Sequence, residues 1–438
     1  MSRSAAALMA GAILAGAPGA ALAGDGPESW AVHGQMTFTA QGNAAFRSPY
    51  QGPDSLDPRA NARETFDVTL YAGVRPWAGA EIWADPEVDQ GFGLSDTLGV
   101  AGFPSGEAYK VGKSAPYLKL PRLFLRQTFD LGGAAQAVDA DLNQLAGVQS
   151  ADRLVVTVGK FGVVDVFDTN AYAHDPRQDF MNWAVIDAGS FDYAANAWGY
   201  TYGAAAELYL GRWTLRGGAF DLSDTPNSTR LDPGFGQYEL AGEIEERHSL
   251  SGRPGKLKLT AFVNRGRMGR FDDAVSLAIT TGQPADIAAV RQYRSRAGVS
   301  LNLEQQLTAS LGLFVRAGSA GGQVEPYEFA DIDRTVSAGL SLKGRAWGRQ
   351  DDVVGLAGVI NGISPAHEAF LDAGGTGILV GDGRLPHPGP EQIVEGYYDL
   401  AVVRAVRLGL DGQLVNHPAY NRDRGPVAIG AVRLHAQF

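Results

Sequence analysis

Over most of the chain, apolar and polar residues alternate one for one, the period of strands with two unlike faces. In 31–42, Val32, Met36, Phe38 and Ala40 alternate with His33, Gln35, Thr37, Thr39 and Gln41. In 122–131, Leu123, Leu125, Phe129 and Leu131 oppose Arg122, Arg126, Thr128 and Asp130; in 236–247, Tyr238, Leu240 and Ile244 oppose Gln237, Glu239, Glu243 and Glu245. Similar runs lie at 63–75, 79–85, 153–163, 197–209, 212–221, 256–267, 295–303, 307–317, 333–343, 351–360, 393–403, 405–415 and 427–438, which makes sixteen. A soluble sandwich would alternate too, so the links decide. The links 43–62, 86–121, 164–196, 222–235, 268–294, 318–332, 361–392 and 416–426 are long, whereas Pro76-Trp77-Ala78, Leu210-Gly211 and Glu304-Gln305-Gln306 mark tight ones. Long loops at one end and short turns at the other belong to an outer-membrane barrel. The stretch 132–152 is a long link where a short turn is expected, and the pattern gives no physical reason for it. The predicted fold is all-β: a transmembrane antiparallel β-barrel of sixteen strands, with eighteen left open, long extracellular loops, and one loop folded into the lumen.

Composition narrows the function classes. The 438 residues contain no cysteine, which excludes disulfides, thiolate metal sites and cysteine nucleophiles. A net charge of −11 argues against nucleic acid as a partner. Residues 1–23 begin with Arg3, run through apolar residues 5–17 and end on Ala21-Leu22-Ala23, the parts of a cleaved signal peptide. The apolar run is too short to span a bilayer as a helix. Residues 24–438 are then read as one outer-membrane barrel domain, placed in the outer membrane of a Gram-negative bacterium. In the final run, Val432, Leu434, Ala436 and Phe438 share one face, and pairing it with the first strand would remove both sheet edges.

Several catalytic patterns nearly form and fail. Residues 106–114 approach a phosphate-binding loop but carry one residue too many before Gly112, and no helical pattern follows. His367-Glu368 lacks the second histidine of a zinc-protease helix, since Leu371 holds that place. Residues 317–321 lack the first glycine of a nucleophile elbow. His174-Asp175 has no nucleophile or metal cluster fixed beside it. No enzyme signature survives and no cofactor is implied.

Particular strings carry a family likeness. They are Asp89-Gln90-Gly91-Phe92-Gly93-Leu94, Gly159-Lys160-Phe161 leading to Asp168-Thr169-Asn170-Ala171-Tyr172, His174-Asp175-Pro176-Arg177, Phe180-Met181-Asn182-Trp183-Ala184 and Trp198-Gly199-Tyr200. Nearer the end come Asn361-Gly362-Ile363-Ser364, Gly381-Asp382-Gly383 and Asn416-His417-Pro418-Ala419-Tyr420 with the residues up to Pro426. In these strings the chain resembles the carbohydrate-selective outer-membrane porins of the OprB-like family, from about residue 30 to 438. The resemblance implies a monomeric sixteen-strand channel passing monosaccharides by diffusion. The alternatives are an outer-membrane barrel enzyme of lipase or protease type and a general non-selective porin.

Candidate site residues follow from facing, not from the family. If apolar residues face lipid, then Glu81, Asp85, Arg122, Arg126, Arg216 and Glu243 face the lumen. Charges of both signs suit a neutral polyhydroxyl solute, since carboxylates accept from hydroxyls and guanidinium groups donate to them. The link 164–196 is too long to be idle and too aromatic to be disordered. Folded inward, it would offer Trp183 to a sugar's C–H face and Asp168, Asn170, His174, Asp175 and Arg177 to its hydroxyls. Arg126, in the middle of its run, is expected near mid-membrane beside Asp168 and Asp175. The partners expected are small carbohydrates, outer-membrane lipid, and the assembly machinery acting through the last strand.

Overall fold

In a computed structural model, which describes residues 27–108, 112–232, 234–329 and 331–438, the chain closes into a sixteen-strand antiparallel barrel. The signal peptide expected at 1–23 lies outside the described residues. The strands are β1 (Trp30–Asn43), β2 (Asn61–Val74), β3 (Ala80–Gly91), β4 (Lys113–Val138), β5 (Gly147–Phe161), β6 (Thr201–Leu210), β7 (Trp213–Asp221) and β8 (Tyr238–Leu250). They continue as β9 (Arg253–Met268), β10 (Gln292–Gln306), β11 (Leu311–Ala320), β12 (Arg334–Lys343), β13 (Val353–Gly362), β14 (Glu391–Val403), β15 (Val406–Asn416) and β16 (Val427–Gln437). Each strand pairs with its sequence neighbours, and β1 pairs with β16 from Gln35↔Gln437 to Asn43↔Ile429, so no sheet edge stays open.

The pleat sorts side chains opposite to the sense of a water-soluble protein. Val32, Leu70, Leu215, Leu240, Ile244, Leu259, Leu301, Leu356, Val394 and Leu410 lie exposed on the outside, while Gln35, Thr37, Thr39, Thr69, Glu239, Glu243, Lys258 and Asn302 are buried within. An apolar outer belt around a polar interior is what a bilayer selects. Small residues on the inner face make room for large ones. A Cβ on Gly73 would lie 2.5 Å from the ring of Trp83, which is fully buried.

Eight long loops share one rim: L1 (44–60), L2 (92–112), L3 (162–200), L4 (222–237), L5 (269–291), L6 (321–333), L7 (363–390) and L8 (417–426). The other rim carries the turns. The sixteen alternating runs correspond in order to the strands, but several boundaries differ from expectation. β4 begins at Lys113, inside the link expected at 86–121, and β10 runs to Gln306, through the tight turn expected at Glu304-Gln305-Gln306. The run at 79–85 does not stop at Pro86. The proline sits at a register shift between Asp85 and Glu87, where no ladder hydrogen bond is needed from it, and β3 continues to Gly91. The anomalous stretch 132–152 is strand too at both its ends, 132–138 and 147–152. There β4 and β5 run on past the turn rim and pair as far as Val138↔Gly147.

The lumen and its inserted loops

Inward-facing charges meet a loop. L3 enters beside β8–β11, where Glu243 accepts from the Asp168 backbone N–H at 2.8 Å, Glu304 from that of Ala171 at 2.8 Å, and Lys258 donates to the Thr169 hydroxyl at 2.7 Å. It then crosses the interior: on β14 Glu395 accepts from the backbone of Met181 and Asn182, and on β16 Arg433 donates to the Asp179 carbonyl at 3.0 Å. It returns to β8–β10, where Glu239 accepts from Ala194 N–H at 3.0 Å and Asn264 donates to the Asp192 carbonyl at 2.6 Å. L2 also dips inward, its Ala101 and Gly102 N–H groups on Glu391 and its Pro104 carbonyl held by Gln41 and Gln413. Irregular backbone inside a barrel has no regular ladder, so the wall's carboxylates and amides satisfy it instead.

Several expected solute contacts are therefore corrected. Asp168 is fully buried and saturated: its oxygens accept from Ala188 N–H at 2.7 Å, Asn302 at 2.6 Å and Arg316 at 3.3 Å. Asn170 is bonded to Asn302 at 2.7 Å and to Tyr172 N–H at 2.9 Å. Trp183 offers no face to a sugar, being 3% exposed and stacked between Phe103 of L2 (5.4 Å) and Phe329 of L6 (6.0 Å). Phe180 and Phe191 are fully buried, and Tyr172 lies against Gly312 of β11. The aromatic residues of L3 fasten the loops to each other and to the wall. On that wall, Arg216 is ringed by Glu207 (2.9 Å), Glu243 (2.7 Å) and Glu245 (3.0 Å), which engage its Nε and one Nη.

What stays accessible lies between residues 174–179 of L3 and strands β2–β4. Arg177, 17% exposed, faces Glu107 of L2 at 3.3 Å and Asp67 of β2 at 3.6 Å. Arg122, also 17% exposed, pairs with Asp165 through two hydrogen bonds of 2.8 and 2.7 Å and lies under the Tyr200 ring. Lys119 bridges Glu87 (3.0 Å) and Asp89 (2.8 Å). His174 stands 3.7 Å from Asp187, and Asp175 caps the turn through the Arg177 N–H at 2.9 Å. Burial alone would push the Asp165 carboxyl up, but the Arg122 guanidinium on both its oxygens holds it below the usual carboxylate range. Lys119, Glu87, Asp89, Glu107 and Asp165 were missed as site residues. The first four fall in the stretch 86–121 read as a loop; for Glu87 and Asp89 the alternation continuing past Pro86 was the available signal.

Arg126 and Glu81 face the lumen, but at the turn rim. Arg126 is bonded to Glu81 at 3.4 Å and to the Asn143 carbonyl at 2.8 Å, and neither Asp168 nor Asp175 is its partner among the described residues. The mid-membrane expectation for Arg126 is thus wrong, because β4 is far longer than the alternating run that placed it. Asp85 lies two inward-facing positions above, past Trp83, and is bonded to the Asn143 side chain at 2.9 Å.

Comparison with known proteins places this architecture. A family model described as "Carbohydrate-selective porin, OprB family" matches residues 54–438. Among solved structures, the high-pH form of Pseudomonas putida OprB aligns with a TM-score of 0.69 and 16% identity over 94% of each chain. The outer-membrane channel DcaP of Acinetobacter baumannii aligns at 0.51 and 11% identity, over 94% of this chain and 98% of its own. At such identities the structural matches speak for the fold alone. No curated protein sequence matches.

Proposed function

Since the chain belongs to the OprB family of carbohydrate-selective porins, a passive carbohydrate channel rather than an enzyme, we propose that its selective constriction is the gap between residues 174–179 of L3 and strands β2–β4. The observation that carries this reading is the row Lys119, Arg122 and Arg177 facing Asp67, Glu87, Glu107 and Asp165, in which the three basic side chains and Asp165 stay partly open to water while the other acids are buried behind them. A neutral polyol needs both donors and acceptors, and it has no charge to be trapped by either sign. Arg122 and Arg177 present fixed forks that can share donors with passing hydroxyls without leaving their carboxylates. Asp168, Asn170, Trp183, Arg216 and Glu243 act by holding L3 and the wall in place. The solutes are monosaccharide-sized, and flux follows their gradient.

The same reading puts the protein in a Gram-negative outer membrane after cleavage behind Ala23, its apolar belt against lipid and its last strand recognised by the assembly machinery. Liposome swelling with glucose, an amino acid of similar size and a disaccharide tests the function, in the parent and in Arg177→Ala. The parent should favour glucose, and the variant should conduct more while losing that preference. Equal rates for sugar and amino acid in the parent would mean a general diffusion porin.

A further inference from the structure

The β4–β5 hairpin does something no short turn can. Lys113–Val138 is a 26-residue strand, whereas about 9–11 residues cross a bilayer. From Arg126 to the hairpin end at Val138, a straight strand would travel roughly 40 Å away from the rim. The tip nevertheless returns to its own starting point. The Asn143 carbonyl accepts from Arg126 at 2.8 Å and the Asn143 amide donates to Asp85 at 2.9 Å, two residues that face the lumen. Leu145 is fully buried, and the Arg75 guanidinium reaches the Ala146 carbonyl at 3.2 Å. Glu28, ahead of β1, clasps Ala146 through bonds of 3.0 and 2.7 Å. The bend sits at Gly132 and Gly133, with φ of 115° and 84° and a register shift on each side, a conformation that disfavours any residue with a Cβ.

We propose that this folded-back hairpin is a periplasmic exit filter, a second constriction in series with the one at L3. The proposal deepens the channel reading and rests on it. The tip stands on the turn-rim side of the Lys119–Arg122–Arg177 row and against the same strands, on the side by which solute leaves that row. There the path is lined by Arg75, Glu81 and Arg126, all partly accessible, with Arg126 at 29%. Two buried oxygens in this place, Asn143 Oδ1 and Asp85 Oδ1, have no hydrogen-bond partner among the described residues. Acceptors without donors, beside arginines that can donate, form a station for the hydroxyls of a small neutral sugar.

Three variants of the full chain, reconstituted in bilayers, test this. In the first, Asn-Gly replaces residues 131–152 and closes β4 on β5 through the existing pair Asp130↔Arg153. It should raise single-channel conductance roughly two-fold and let a disaccharide through faster relative to glucose. In the second, Asn143→Ala should weaken glucose block about fivefold, the loss of one hydrogen bond of ~1 kcal/mol. In the third, single thiols are introduced into this cysteine-free chain. Leu145→Cys should be shielded from an impermeant maleimide added on the periplasmic side, while Ala137→Cys on the exposed ribbon reacts at once. A sugar-selective parent whose shortened form conducts and discriminates identically would overturn the filter, as would equal labelling at 145 and 137. If the shortened form does not fold, Asn143→Ala and the labelling decide alone. A parent that passes no sugar would sink the channel reading instead, and the labelling would still report whether the tip is in the mouth.

Discussion

Arg316 of β11 is the side chain whose loss should most cleanly free L3. It is fully buried, and its guanidinium serves four acceptors on the loop: the Val185 carbonyl at 2.8 Å, the Ala173 carbonyl at 2.8 Å, the Asp168 carbonyl at 3.1 Å and the Asp168 carboxylate at 3.3 Å. In Arg316→Met the volume is nearly kept while every donor disappears. Asp168 retains Ala188 N–H and Asn302, but the carbonyls of Ala173 and Val185 lose their arginine donor. Breaking a buried ion pair from one side costs about 3–5 kcal/mol. At ~1.4 kcal/mol per factor of ten, that moves the docked-to-undocked ratio of L3 by roughly two to four powers of ten. The barrel itself keeps its ladders, so the loss is local. Arg316→Met should therefore show higher and noisier single-channel conductance, a smaller preference for glucose over an amino acid, and protease cleavage within 168–187. Strand content and thermal transition by circular dichroism should hardly change. Arg316→Lys should fall between, because a point charge cannot span acceptors that a planar fork reaches together. If Arg316→Met conducts, selects and resists protease as the parent does, L3 is held by its other brackets and the anchoring role is refuted.

Three further outcomes follow from single features. Gly73→Val forces a side chain into the buried Trp83 ring and should cost about 1–3 kcal/mol in urea unfolding of the barrel folded into vesicles; a neutral result would mean the ring can move aside. Ile244→Arg, on the outward face at mid-strand, should cost ~2–4 kcal/mol in the same assay, and a neutral result would put that face away from lipid. The L1 carboxyl of Asp54 is pushed up to about 6 by burial and by the Asp331 carboxylate, and its backbone N–H donates to the Gly381 carbonyl of L7 at 3.1 Å. A raised carboxyl favours the folded loops when protonated, so the L1–L7 contact is firmest below about pH 4 and loosens as pH rises through about 6. Hydrogen exchange of residues 50–56 at pH 5 and pH 8 should show this loosening in the parent, and Asp54→Asn should abolish the difference.

The barrel was legible because closure in a bilayer demands strict alternation along every strand, and no other fold needs sixteen such runs with asymmetric links. The run read at 79–85 is too short because β3 continues through Pro86, and only the partner's register reveals the bulge that admits a proline there. The stretch 132–152 was opaque for a related reason. Its residues carry little apolar alternation because both faces of the ribbon meet water, which removes the periodic signal while the pairing persists. Arg126 inherited that error, since a mid-run residue is mid-membrane only if run and span coincide. Trp183 was misread because an aromatic residue in a long loop reads equally as a platform for ligand or as a rivet between loops, and sequence spacing does not distinguish a ring facing water from one stacked on Phe103 and Phe329.

The wall charges show most clearly where facing alone falls short. Alternation places Glu239, Glu243 and Glu395 inside the barrel, and the longer β10 adds Glu304, yet these carboxylates accept from backbone N–H groups of L3. A barrel that admits a long irregular loop must supply acceptors for that loop's amides, because neither lipid nor a sheet ladder will. Inward acids thus divide by what meets them. Those facing peptide N–H groups position the constriction. Those facing Lys119, Arg122 and Arg177 have basic partners that stay partly accessible, and a sugar can share their donors without breaking the scaffold. The division gives a direct contrast to measure. Glu395→Gln removes charge but leaves an oxygen to accept from Met181 and Asn182, so conductance should change little, whereas Glu395→Ala should let L3 lift and the channel widen. At Glu107 the order differs: Gln and Ala alike unbalance Arg177 and should both reduce sugar preference. Identical effects of Gln and Ala at position 395 would show that its charge, and not its hold on the loop, is what the channel uses.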